Sequence, residues 1–248
     1  MTDTITIPAR FRGPPNSGNG GYVSGVLARA LRENTGYEGP VEATLRAPIP
    51  LDTTMQVVPV DEGVLRFMAG DQLIGEARPA SLEVNAPDAP SFEAALAAQP
   101  QSPSFLSGVN HLIDGTGFHP ICVCCGADLA PEDGLRVHAA PVEGFTGVAA
   151  AFRPDPAFHE ADGSLSEAVI WAALDCPGQF AWYCSGTRTG PLGRMTGEVL
   201  RPVAGDQDLR VIGWTVEQQG KKFFAGTALV DSHDQICARS LQVWIGSR

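Results

Sequence analysis

Between residues 18 and 33 apolar side chains recur with the period of a helix. Tyr22, Val23, Val26, Leu27, Ala30 and Leu31 fall at i, i+3, i+4 and i+7 and build one apolar face. The segment "ENTGYEGP" stops that helix with Gly and Pro. Before it, "ITIPARF" predicts a short strand. After it, "VEATLRAPI", "TMQVVPV", "GVLRFMAG" and "QLIGEARPASLEV" predict consecutive strands, with "PLD", "DEG" and "GD" as the turns between them. A strand, a helix and a run of strands are an α+β pattern.

The pattern breaks at 86–120. There "NAPDAP" and "QPQSPS" flank "SFEAALAAQ", a short predicted helix, and the stretch exceeds an ordinary connection within a domain. From residue 121 the pattern returns. "GLRVHAAPV" and "GVAAAFRPD" predict strands, and "SLSEAVIWAALDCPG" predicts a helix opened by Ser164 and Glu167 in capping-box spacing. Four more strands follow, in "TGEVLRPV", "DLRVIGWTVEQQG", "KKFFAGTALVDS" and "DQICARSLQVWI". The chain thus divides into a first repeat at 1–85, a connector at 86–120 and a second repeat at 121–248. Residue identities support the repeat. "LRAPIPLD" at 45–52 matches "LRPVAGD" at 200–206. "DQLIGEARPASLEV" at 71–84 matches "DQICARSLQVWI" at 234–245, sharing Asp-Gln, then Ala-Arg, then Ser-Leu-x-Val. The period is too long for a solenoid module and suits two copies of a complete small domain.

Composition narrows the partners. The chain has 248 residues, 44% of them hydrophobic, enough for a buried core. Its formal net charge of -11 argues against nucleic acid, because phosphate binding needs a basic footprint. A small anion remains compatible, since it needs only local Arg residues or a helix N-terminus. The start lacks a basic stretch leading into an apolar one, and no apolar run reaches the roughly 20 residues of a membrane span. The expectation is a cytoplasmic protein that keeps away from membranes. With no sign of secretion, the six cysteines are expected as thiols.

"NSGNGGYVSGVLARAL" at 16–31 places two adjacent glycines where the first helix begins. Glycine costs backbone entropy in an ordered element, so something is expected to approach that helix end closely. One answer is a ligand; the other is tight packing of the helix itself.

One helix followed by a strand meander, duplicated in tandem, resembles the hotdog fold in its double form. The resemblance covers most of the chain outside the connector. It implies active sites at the interface between paired units, acyl thioesters as substrates, and further assembly into homo-oligomers. In thioesterases of the phenylacetate type a Gly-Gly opens the helix and a carboxylate follows in a "Leu-Ala-Asp" context. Here the two features are divided. Asn19-Gly20-Gly21 opens the first helix, while its carboxylate position falls at Ala28. The second helix, "WAALDCPGQFAWYC", has Asp175 at that position and no Gly-Gly. The resemblance therefore implies one composite site. "HPICVCCGADLAPEDGLRV" is also similar to hotdog thioesterase-like proteins of the actinobacterial type, which carry Cys-x-x-Cys-Gly and "Asp-Gly-Leu-Arg" there.

On that resemblance the residues take roles. Amides of Gly20 and Gly21 at the positive helix end form an oxyanion hole, with Asn19 as a further donor. Asp175 acts as general base or nucleophile, and Gln179, one turn on, positions water. Pro177 bends or ends the second helix just after Asp175. Asp175 as a helix-end residue at the Pro177–Gly178 turn stays open as the structural alternative. Trp171, Phe180, Trp182 and Tyr183 are core or acyl-pocket residues. Arg188, Arg194, Arg201, Lys221 and Lys222 are candidates for coenzyme A phosphates, or simply a solvated face.

His119, Cys122, Cys125 and His138 have the right ligand types for zinc, but the second pair lacks compact spacing; buried thiols are the preferred reading and no metal is expected. Cys176 or Cys184 as a nucleophile would need a histidine, and none lies in either predicted helix. The dinucleotide fingerprint fails, because Val23 stands where its third glycine belongs. The expectation is an acyl-CoA hydrolase without a cofactor. A non-catalytic acyl-thioester or lipid-binding protein is the alternative, and an assembly protein the third reading.

Overall fold

The structure, a computed structural model, describes residues 3–61, 63–109 and 115–246. Residues 110–114 of the expected connector lie outside the described residues, as do the chain ends at 1–2 and 247–248. The first part runs β1 (Thr4–Thr6), α1 (Gly20–Thr35), β2 (Val41–Leu45), β3 (Thr54–Asp61), β4 (Val64–Ala69) and β5 (Gln72–Pro79). A short α2 (Phe92–Ala98) follows. The second part runs β6 (Ala140–Pro141), β7 (Val148–Phe152), α3 (Glu167–Cys184), β8 (Leu192–Val199), β9 (Leu209–Gln219), β10 (Lys222–Val230) and β11 (Ile236–Ile245).

All eleven strands form one antiparallel sheet in the order β1-β3-β4-β5-β2-β8-β11-β10-β9-β7-β6. The order is symmetric about the β2–β8 pair, so β3, β4, β5 and β2 answer to β9, β10, β11 and β8. Val41 pairs with Gly197 at the centre of the join. The repeated Ala-Arg falls on answering strands and makes the same contact twice. Arg78 on β5 holds Glu42 on β2 at 2.8 Å, and Arg239 on β11 holds Glu198 on β8 at 2.7 Å.

The two long helices cross each other under the sheet. Leu27 and Leu31 of α1 and Trp171, Leu174 and Phe180 of α3 are buried. Each such side chain contributes roughly 1.5–3 kcal/mol relative to exposure. The crossing needs glycine. A Cβ on Gly25 would lie 2.8 Å from Ala168 Cα, and one on Gly21 would strike the Trp171 carbonyl oxygen. Trp171 in turn lies over Gly197 at the join, where a Cβ would come within 3.0 Å of its ring. α2 covers the far end, where Ala95 and Ala98 pack with Ala140, Ala149, Ile212 and Ala228 in a separate small core.

Several local expectations need correction. The N-cap of α3 is Ser166, whose hydroxyl accepts from Val169 N–H, not Ser164. Ser164 is engaged by Asp162 in the preceding turn (2.6 Å), and Glu167 pairs with Arg32 on α1 (3.2 Å) instead of closing a capping box. Segment 134–142 is almost entirely irregular, with only Ala140–Pro141 in a strand. Its backbone bonds go to a cysteine-bearing loop, Leu135 N–H to Val123 O and Val137 N–H to Cys124 O.

Pro177 does not end α3, which continues to Cys184. Proline removes the N–H that would reach Ala173 O. Cys124 Sγ takes that carbonyl at 3.9 Å, and Gln242 Nε2 on β11 takes the next one, Leu174 O, at 2.6 Å. Gln242 comes in directly over Gly178, where any Cβ would collide with its Oε1.

Candidate active site

The N-terminus of α1 is built around one asparagine. Asn19 Oδ1 caps the helix by accepting from Tyr22 N–H at 2.8 Å. Its Nδ2 is thereby aimed away from the helix, and donates to Asp175 Oδ2 at 2.6 Å. It also lies 3.6 Å from Cys122 Sγ. An amide accepts through one atom and donates through another, which an ionised Asp, acceptor only, cannot reproduce at this cap. Asn19 is 1% exposed and Asp175 4%.

Asp175 therefore reaches across from α3 to the start of α1. Gly21 lies directly against it, because glycine lets the two helices touch there. Its other oxygen, Oδ1, is buried and has no partner among the described residues. Burial pushes its carboxyl up to about 7, and a negative charge on Cys122 pushes the same way. The Gly21 amide and Asn19 pull down without cancelling them. The positive end of the α1 dipole favours the ionised form as well.

The symmetry explains why the described residues hold one such pair and not two. Asp175 lies nine residues past its N-cap Ser166, and Ala28 lies nine past Asn19. Ala28 is fully buried, so the mirrored position carries a methyl group where this one carries a carboxylate.

Of the residues singled out in the sequence, the structure brings Asn19, Gly21 and Asp175 together. Gly21 stands beside the carboxylate, where a Cβ would lie 2.7 Å from Asp175 Cβ. Gly20 is half-exposed and adjoins Leu192 and Leu45, with a Cβ there lying 2.9 Å from the end of Leu192. Gln179 is buried one turn beyond Asp175 and its Nε2 donates to Gly190 O at 3.1 Å. The aromatic residues near Asp175 are mostly structural. Trp171 and Phe180 are fully buried, Trp182 Nε1 bonds Phe224 O at 3.0 Å, and Tyr183 meets Phe118 edge-on at 4.8 Å. Arg194 is paired with Glu42, and Arg188 lies over the Phe118 ring. Two surface hollows of about 340 and 250 Å³ lie near Phe105 and Arg210, and Asp175 lines neither.

What the sequence missed is that Cys176, and not His138, joins Cys122 and Cys125. Cys122 and Cys125, on the loop before β6, meet Cys176 of α3 immediately behind Asp175. Cys176 follows Asp175 directly in the chain, but nothing local ties it to a loop 51 residues earlier. His138 does not join them; it is buried with its ring against Phe105 at 4.6 Å. Burial and Arg136 lower its pKa to about 4.

No family profile and no curated protein matches the chain. Solved structures do. A TesB protein from Mycobacterium avium subsp. paratuberculosis aligns with 99% of this chain and 92% of its own, at TM-score 0.63 and 13% identity. A candidate thioesterase from Novosphingobium aromaticivorans aligns with 99% and 95%, at TM-score 0.59 and 11% identity. A protein of unknown function with a hot dog fold from Alicyclobacillus acidocaldarius aligns with 99% and 92%, at TM-score 0.55 and 13% identity. Identity this low speaks for the fold and not for the chemistry. With the symmetric sheet and paired central helices, the chain has the hotdog fold in its double, tandem form.

Proposed function

We propose that this chain is an acyl-thioester hydrolase, with acyl-CoA as its substrate, working at one composite site between its two hotdog units, 1–85 and 121–248. The observation that supports it is the meeting of Asp175 with the glycine-opened N-terminus of α1. Hydrolysis places negative charge on the thioester oxygen, which an unpaired amide at a helix start stabilises. Gly20 N–H is the donor for that oxygen. Asp175, with its pKa near neutrality, takes a proton from the attacking water, and Asn19 holds its carboxylate in place. Deprotonated Asp175 is the active form, so turnover rises with pH through about 7. Gln179 and the Gly190 backbone border the same region. The use of thioesters also draws on the named activity of the structural neighbours.

A panel of short, long and aromatic acyl-CoAs, followed through release of free thiol, tests the reading. Turnover that falls at least 100-fold in Asp175→Asn supports it. The second reading is a binding protein without turnover, favoured by the 4% exposure of Asp175. It wins if acyl-CoA binds and no panel member is hydrolysed.

A further inference from the structure

We infer that Cys122, Cys125 and Cys176 form a zinc site, with three thiolates from the protein and one nitrogen or oxygen donor completing a tetrahedron. The three sulfurs lie within 4.8 Å of one another and are all buried. Zinc binds thiolate at about 2.3 Å, and two ligands at that distance in a tetrahedron stand about 3.8 Å apart. Cys122 Sγ and Cys176 Sγ are 3.8 Å apart. A disulfide needs about 2.05 Å.

The loop is shaped for this before any metal is considered. Cys122-x-x-Cys125 has the spacing of a zinc-binding turn. Gly126 N–H closes it on Cys122 O at 2.8 Å, and Cys122 N–H is held by His119 O at 2.9 Å. Gly126 is required there, since a Cβ would lie 2.6 Å from both the Cys122 and Pro120 carbonyl oxygens. Asn19 Nδ2 reaches Cys122 Sγ at 3.6 Å. Donors aimed at a sulfur suit a thiolate, and such bonds orient and tune metal ligands. Cys176 comes from α3, so one ion would fasten this loop to the helix carrying Asp175. His119, three residues upstream and near Cys122, offers a nitrogen as the fourth donor, which leaves Asp175 outside the metal's ligands. Zinc binding displaces one proton from each thiol, and the ion's two charges offset the buried thiolates.

The protein purified without chelator is assayed for metal by mass spectrometry, alongside Cys125→Ser and Cys124→Ser. About one zinc per chain is expected, retained in Cys124→Ser and reduced at least tenfold in Cys125→Ser. X-ray absorption at the zinc edge is expected to show three sulfurs and one lighter donor. This second reading stands on wild-type protein alone, should Cys125→Ser not fold. Metal-free wild type that takes up no added zinc overturns the inference. So does a mass lighter by two hydrogens, marking a disulfide, or zinc that survives in Cys125→Ser. Metal content is measured without substrate, so this result and the hydrolase reading stand or fall separately.

Discussion

Asp175 makes a test of the site that needs no substrate. Its carboxyl is raised from the ordinary 3.8 to about 7 by burial. In the unfolded chain it titrates near 3.9. Below about pH 4 both states hold the proton, and nothing is lost on folding. Between there and pH 7 the unfolded chain releases the proton while the folded one keeps it. Stability contributed at low pH is therefore lost as pH rises through about 7. A gap of about three pH units amounts to roughly 4 kcal/mol. Asp175→Asn removes the titration. Its carbonyl oxygen still accepts from Asn19, and its amide replaces the unpartnered Oδ1. Any cost of that replacement is the same at every pH. The melting temperature of the variant minus that of wild type is therefore expected to grow from pH 4.5 to 8.5. At roughly 2–4 °C per kcal/mol for a chain of this size, the growth is roughly 8–16 °C. Other carboxylates titrate in both proteins and cancel in the difference. A gap that stays flat over this range would refute the placement of Asp175 as a buried, proton-holding group.

Two further substitutions separate packing from chemistry. Gly21→Ala forces a methyl group against the Trp171 carbonyl and Asp175 Cβ, at 2.7 Å from the latter, and backbone cannot yield as a side chain can. Its expected cost is about 1–3 kcal/mol in chemical denaturation, whereas Gly20→Ala meets only side-chain atoms, of Leu192 and Leu45, and should cost less than Gly21→Ala. Asn19→Asp keeps a good N-cap but replaces the donor to Asp175 with a second carboxylate, so helix content by circular dichroism should hold while the Asp175 titration, followed by carboxyl NMR, moves upward.

How far the sequence could be read depended on how many residues each feature involved. The repeat was legible because Ala-Arg recurs on β5 and β11, and the structure shows why it should: each arginine holds a glutamate on the strand beside it, Glu42 or Glu198. The start of α1 was legible because Asn19, Gly20 and Gly21 are contiguous, whereas the capping role of Asn19 appears only in the structure. The start of α3 was misplaced because Ser164 and Ser166 are both good caps. The choice between them lies with Asp162, which claims Ser164, and with Arg32 on another helix, which claims Glu167. Pro177 misled for a similar reason. A local rule stops a helix at proline because a carbonyl loses its partner, but here Cys124 and Gln242, 53 residues before and 65 after, take up Ala173 O and Leu174 O. The loop that supplies Cys124 also supplies Cys122 and Cys125, and draws the 134–137 backbone away from the sheet. That loop has no period of its own to read. Its conformation follows from what it packs against, so its sulfurs, its missing strand and the persistence of α3 past Pro177 have one cause. The stretch that periodicity describes least therefore packs against α3 on both sides of Asp175, through Cys124 on Ala173 O and Cys122 on Cys176.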